Sequence, residues 1–371
     1  MAVKQIMLHK VTKGMKIAED IYKGNQLIVK KNKEVTQDVL DVLHYSSIVS
    51  IAVYDENGEE APTAAPTAAP AASSPSQAAP LSHSEKLRNS ESFKRFEEAF
   101  NKQTETFTHA LNDIAKKNEK VDVDELFSSA NEIMEHATNT YQLMDILSNI
   151  RYFDDSTYAH SLNVALLANI LGRWLNFDEN MLKKITVAGM LHDIGKVLIP
   201  KEIIQKPGKL TAEEYQTIKT HPVQGYRLLK SKNVDEDIAQ AALLHHEKCD
   251  GTGYPTGVTS EKLGYSAKVI GIVDVYEAMT ANRCYRDGIC PFQVIRMFED
   301  EGYAKYDPKY MLPFLKGIAD TYLHNTVMLS DGTQAEIVLT NNAVPSKPSL
   351  MAGAQFIDLS RRPDIRIEKI L

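Results

Sequence analysis

Phe93, Phe96, Phe100, Phe107, Leu111 and Ile114 recur at spacings of three, four and seven, the apolar stripe of a long helix. A second stripe follows at Val123, Leu126, Phe127, Ala130, Ile133, Met134, Ala137 and Tyr141. The first stripe fits either packing on the second or a dimer seam that relays a signal from upstream. Heptad occupation is not sustained, which favours packing. The helical period persists from Asp122 to about Leu323. Within it, Thr211 and Glu214 predict a capping box for a helix that includes Tyr215 and Ile218, with Pro207-Gly208 turning the chain ahead of it. Gly172 and Gly195 are placed to end helices. Over residues 325–371 the texture becomes β: Thr326 to Leu329, an Asp331-Gly332 turn, Ala335 to Thr340, and a further strand between Ile365 and Leu371.

Upstream, Gln26 to Val29 and Ser47 to Val53 read as strands, and Thr36 predicts the cap of a short helix through Val39, Leu40 and Leu43. Residues 61–80, APTAAPTAAPAASSPSQAAP, carry recurrent proline and nothing large to bury, which reads as an extended linker. The expected organisation is a mainly α protein: a small α+β unit at 1–58 for sensing or interaction, a linker at 59–82, a connecting helix at 83–120, a helical domain at 121–324 and a β-rich tail at 325–371.

The 371 residues are 43% apolar and 25% charged, as in a globular protein. With 42 basic against 49 acidic residues the net charge is -7, which argues against a nucleic-acid polymer as partner. A local cationic pocket for a small anion remains compatible with that balance. Cys249, Cys284 and Cys290 form no CxxC pair, no apolar run nears the ~20 residues of a membrane span, and the first ten residues lack a signal-peptide core. These features predict a cytoplasmic protein with no membrane span.

Five histidines stand beside carboxylates or one another on apolar stretches: His160, His192, His221, His245 and His246, with Asp193 and Asp274. Singly, each has an ordinary explanation, such as a core imidazole on a carbonyl or an aspartate paired with a lysine. Together they offer seven nitrogen and oxygen ligands in surroundings where an unpaired charge is costly. His221 precedes Pro222, which predicts non-helical backbone at His221 before the next helix. His245 and His246 follow a helix over Asp235 to Leu244. Imidazole and carboxylate ligands suit Fe(II), Mn(II), Ni(II) or Zn(II). Seven are too many for one ion and suit two with Asp193 shared, the arrangement that serves phosphoryl transfer when the ions lie ~3.5–4 Å apart. Lys196, Arg283 and Arg286 are the nearby cations that a phosphodiester needs.

HDIGKVLIP (192–200), KPGKLTAEE (206–214), HPVQGYRLL (221–229), HHEKCDGTGYPTG (245–257) and DVYEAMTANRCYR (274–286) resemble the ordered blocks of the HD-GYP family, a branch of the HD phosphohydrolases. The resemblance spans roughly 150–290 and implies a helical domain that hydrolyses cyclic di-GMP, through the linear dinucleotide pGpG, to GMP. It implies a metal set of His160, His192, Asp193 and Asp274, completed by His221, His245 and His246, with Asp193 bridging. The resemblance further implies that the ions are Fe(II) or Mn(II), with Ni or Mg also compatible. By the same resemblance Lys196 holds the scissile phosphate or the nucleophile, while Arg283, Tyr285 and Arg286 grip the far side of the substrate. Gly253, Tyr254 and Pro255 shape a loop that in the family is linked to diguanylate cyclase (GGDEF) domains. A homodimer is also compatible with the family. Two departures stand out. Ser156 replaces the glutamate of three-metal members, with Asp154 and Asp155 out of register, which predicts two ions. Cys284 stands where the family has proline. The alternatives are a hydrolase of 3',3'-cyclic GMP-AMP, a catalytically silent cyclic di-GMP receptor and, least of all, a generic HD nucleotidase, which would lack the GYP block.

Overall fold

The computed structural model describes residues 3–7, 11–23, 26–36, 39–40, 43, 50–54, 83–117, 119–150, 157–206, 208–281 and 288–371. The linker expected at 59–82 lies outside them. In the N-terminal unit β1 (Val3–Met7) pairs antiparallel with β4 (Ser50–Tyr54), and β2 (Ile21–Lys23) with β3 (Gln26–Val29). The Thr36 hydroxyl accepts the Val39 N–H at 3.4 Å, the expected cap. Ile17, Val29, Val35, Leu43 and Ile51 close a small core distinct from the main one.

The segment expected as one connecting helix is two: α1 (His83–Arg88) and α2 (Glu91–Lys116). Ser90 separates them, since its side chain accepts the Phe93 N–H and starts a new helix. Every residue of the first stripe is buried, and α2 packs on α3 (Val123–Met134), so the stripe serves intrachain packing. Next come α4 (Thr140–Asn149), α5 (Thr157–Trp174) and α6 (Glu179–Leu191). From Ala159 to Gly172 only His160 escapes full burial on α5, which makes this the central helix.

Gly172 does not end a helix, contrary to the sequence expectation. It lies inside α5, where a Cβ would sit 2.5 Å from Ile185 and 2.7 Å from Leu182, so glycine permits the close crossing with α6. Gly195 likewise lies past the end of α6, in a 3-10 turn over Ile194–Leu198. A Cβ there would overlap the His221 carbonyl and approach the Gly225 nitrogen to 2.7 Å. The small residue lets that turn press against α9 (His221–Ser231), which follows the short α7 (Lys201–Ile204) and α8 (Ala212–Ile218). The Thr211–Glu214 capping box opens α8 as expected. Then come α10 (Glu236–Leu244), α11 (Tyr265–Thr280), α12 (Pro291–Lys305) and α13 (Pro308–Thr321).

The tail is a five-stranded antiparallel sheet: β5 (Thr326–Leu329), β6 (Gln334–Leu339), β7 (Ser349–Ala352), β8 (Gln355–Asp358) and β9 (Ile367–Ile370), in the order β8-β7-β6-β5-β9. Val327, Leu329, Ile337 and Leu350 join the same core as the helices, so the sheet's inner face is sealed by α-helical partners. β7 and β8 are short and escaped the sequence reading.

Candidate metal centre

Five separate elements deliver the candidate ligands. His160 stands near the start of α5, His192 caps the C-terminus of α6 with Asp193 next in line, and Asp274 lies in α11. His245 caps α10 and His246 follows it. His221 is the first residue of α9, with Pro222 in the opening turn, so the expected non-helical geometry at His221 is overturned. Proline tolerates the first turn because it needs no donor there, and its bias against α geometry in the preceding residue is outweighed by packing of the His221 carbonyl against Gly195.

All seven side chains converge. They form two groups, His160/His192/Asp274 and Asp193/His221/His245/His246, and within each group the ligand atoms lie within 4.8 Å of one another. Asp193 spans both. Its Oδ2 is 3.3 Å from His192 Nε2 and 3.7 Å from His160 Nε2, while its Oδ1 is 3.2 Å from His221 Nε2 and 3.8 Å from His245 Nε2. Asp274 places Oδ1 3.0 Å from His160 Nε2 and Oδ2 3.9 Å from His246 Nδ1.

The backbone sets the tautomers. The Nδ1 atoms of His192, His221 and His245 donate to the carbonyls of Gly189 (2.7 Å), Ile218 (2.7 Å) and Ala242 (3.0 Å). Each Nε2 lone pair is thereby turned to the centre, as metal ligation requires. His160 Nδ1 instead faces the Glu277 carboxylate, which also accepts from the Asn163 amide at 3.0 Å. Burial alone would lower the His160 pKa, but Glu277 and Asp274 reverse this and raise it to about 10. Burial also lowers His245 and His246, aided by neighbouring imidazoles, His246 to about 3. For Asp193 burial acts upward, but Lys196, His192 and His221 win and hold the carboxyl well below its usual range. The result is an ionised Asp193 and Asp274 beside the neutral imidazoles of His245 and His246, a donor set made for divalent cations. His192 Nε2 and Asp193 Oδ1 are buried without a hydrogen-bond partner, a cost that a bound cation removes. The residues fit a divalent metal pair.

Lys196 Nζ lies 2.5 Å from Asp193 Oδ2, on the wall of a cavity of about 1300 Å3 that also exposes His160, His246 and Asp274. Gly253, Tyr254 and Pro255 sit on the other flank of His246. The Tyr254 ring stacks on His246 with centroids 4.6 Å apart, and Lys219 Nζ lies 4.6 Å from the Tyr254 ring. A Cβ on Gly253 would come within 2.5 Å of the His246 carbonyl and overlap Glu247, so the loop can close only on glycine. Arg283, Cys284, Tyr285 and Arg286 lie outside the described residues, as do Asp154, Asp155 and Ser156.

Sequence reasoning missed two carboxylates. Glu277 falls one helical turn after Asp274 on the same face of α11, a spacing that was legible. Glu247 is buried and accepts from the Thr256 amide at 2.6 Å and the Gly257 amide at 3.0 Å, tying down the GYP loop; no local pattern announced it.

A family model described as "HD domain" matches residues 125–310. The chain belongs to the HD domain family. The chain is 36% identical over 188 residues to a cyclic di-GMP phosphodiesterase of Pseudomonas aeruginosa, covering 50% of this chain and 45% of that one. It is 32% identical over 188 residues to a cyclic di-GMP phosphodiesterase of Thermotoga maritima, covering 49% and 51%. A 3'3'-cGAMP-specific phosphodiesterase of Vibrio cholerae is 34% identical over 145 residues, covering 39% of this chain and 34% of its own length. The chain spans about half the length, or less, of the curated relatives it matches. Among solved structures an HDG"Y"P protein from Bdellovibrio bacteriovorus aligns over 84% of this chain and 98% of its own, at 14% identity and a TM-score of 0.46. The HD-GYP resemblance read from the motif blocks is borne out by the HD domain match and the curated cyclic di-GMP phosphodiesterases. Among the described residues, no helix is long and apolar enough to cross a membrane.

Proposed function

We propose that this chain is a metal-dependent phosphodiesterase that hydrolyses cyclic di-GMP, by way of pGpG, to GMP. One observation carries the reading: the two oxygens of buried Asp193 face two separate groups of imidazole ligands, the layout of a carboxylate shared by two ions. His160, His192, Asp193 and Asp274 would hold one ion; His221, His245 and His246, with Asp193 again, the other. When bound, such ions supply Lewis acidity and a water of lowered pKa for attack on phosphorus. The all-nitrogen-and-oxygen donor set suits Fe(II) or Mn(II). Lys196, held at the cavity wall by Asp193, presents its cation where a phosphate oxygen beside the centre develops charge. The carbonyl-anchored imidazoles keep the ligand geometry rigid, so little reorganisation is needed on substrate binding. Arg283, Tyr285 and Arg286 are assigned to the far side of the substrate on the strength of the motif resemblance.

Relatives named as 3'3'-cGAMP-specific phosphodiesterases favour a second reading, hydrolysis of that ring by the same phosphate chemistry. The deciding experiment is anaerobic purification, metal analysis and side-by-side turnover of both cyclic dinucleotides. Two ions per chain and GMP from cyclic di-GMP are expected, with metal and turnover lost together in Asp193→Asn. A fully loaded protein that turns over neither ring would overturn the catalytic reading, and normal turnover by Asp193→Asn would overturn the shared carboxylate.

A further inference from the structure

The cavity beside the metal centre has a wall that the HD domain does not supply. Thr108, Leu111, Asn112 and Lys116 of α2 form it, and Tyr158 and Lys201 of the HD domain line the same cavity. The family match begins at residue 125, so α2 lies outside it. α2 nevertheless packs directly on the Ile194–Leu198 turn that carries Lys196, and on α5. The wall is ordered by its own polar contacts: the Asn112 amide donates to the Thr108 carbonyl at 2.8 Å and the Tyr158 hydroxyl at 3.0 Å, and its Oδ1 accepts from Lys116 Nζ at 3.0 Å. Tyr158 is two residues from His160, so the network ties the end of α2 to the start of the helix that bears a candidate ligand.

The cavity's charges divide in a telling way. Lys196 is paired with Asp193 and Lys206 with Glu214 at 2.6 Å. Among the described residues, Lys116 and Lys201 line the same space with no carboxylate partner, and Lys116 contacts only a neutral amide. A cyclic dinucleotide carries two phosphodiesters on opposite sides of its ring. When one is at the ions, the other must meet positive charge elsewhere in the cavity. We propose that Lys116 and Lys201, with Asn112 ordering Lys116, add a second cationic wall to the distal half of the substrate site, beside the Arg283, Tyr285 and Arg286 assigned there above, and contact the second phosphate of the cyclic dinucleotide. This assignment rests on the phosphodiesterase reading above and adds to it a substrate-binding role for the helix that leads in from the linker.

The test measures affinity of the full-length, Mn(II)-loaded protein for the hydrolysis-resistant bis-phosphorothioate analogue of cyclic di-GMP by calorimetry. A solvent-facing ion contact is worth about fivefold in Kd, so Lys116→Ala weakens binding about fivefold and the double variant with Lys201→Ala about twentyfold. Lys116→Arg restores most of the affinity. Binding of GMP, whose single phosphate is a monoester, does not move, and neither do metal content or melting temperature. Unchanged analogue affinity in the double variant overturns the assignment. Parallel losses for analogue and GMP, or a fall in metal content, also overturn it, because they mark a structural role. A wild-type protein that fails to bind the analogue overturns it too. Failure of the phosphodiesterase reading is separately visible as analogue binding by a loaded protein that turns over no cyclic di-GMP.

Discussion

Replacing Glu277 by glutamine probes the centre without touching any candidate ligand. Glu277 is 4% exposed; it holds His160 Nδ1 with one oxygen and the Asn163 amide with the other. In the metal-stripped protein the His160 pKa is raised from 6.5 to about 10, chiefly by Glu277 and Asp274 working against burial. A folded-state pKa above the unfolded one stabilises the fold fully below pH 6.5, and the gain disappears as pH rises through 10. At pH 7 the shift is worth about 4 kcal/mol at 1.36 kcal/mol per unit, with the Glu277 charge the largest of the raising influences. Glu277→Gln removes a hydrogen bond between charged groups and should cost the stripped protein about 2 kcal/mol at pH 7 in urea unfolding, and almost nothing above pH 10. If His160 ligates as proposed, loss of the carboxylate behind it should also weaken one of the two expected Mn(II) binding steps about 10- to 100-fold. The second step, served by His221, His245 and His246, stays near wild type. A stripped variant as stable as wild type at pH 7, with both Mn(II) steps intact, would refute the role given to Glu277.

Three further outcomes are expected. The stripped protein should lose about 3 kcal/mol between pH 6.5 and 5, because His245 and His246 take up protons on unfolding but have lowered pKa values when folded; a melting temperature flat from pH 7 to 5 would contradict this. Gly195→Ala places a methyl against rigid backbone at His221 and Gly225, so chemical denaturation should show a loss of about 3 kcal/mol and metal analysis a depleted centre. Thr211→Ala removes the capping box of α8 at about 1 kcal/mol, read by faster hydrogen exchange at the Glu214 amide, with metal content unaltered.

The site was largely legible before any coordinates, because ligand chemistry restricts which residue types serve and the motif blocks name them in order. The stripe from Phe93 to Ile114, the capping box at Thr211 and the β texture of the tail were legible for a different reason: each is a local pattern whose period or spacing matches one backbone geometry. Local pattern also misled. Gly172 and Gly195 looked like helix ends, since glycine most often frees the backbone; here both are small because another element presses on them. His221 looked non-helical on the steric bias of proline, which packing overrode. β7 and β8 are four residues each and gain stability only as partners of β6, so little in their own composition marks them.

By itself the amino-acid sequence determined the donor set, the helical class of the ligand-bearing region and the change to β structure near residue 325. These depend on residue chemistry and short-range periodicity. Only tertiary structure decided that Asp193 turns its two oxygens to different imidazole groups, that Glu277 stands behind His160, and that α2 closes the cavity with Asn112 and Lys116. Those facts are distances between residues far apart in the chain, and they are set by how α2, α5, α6, α9 and α11 pack around one core.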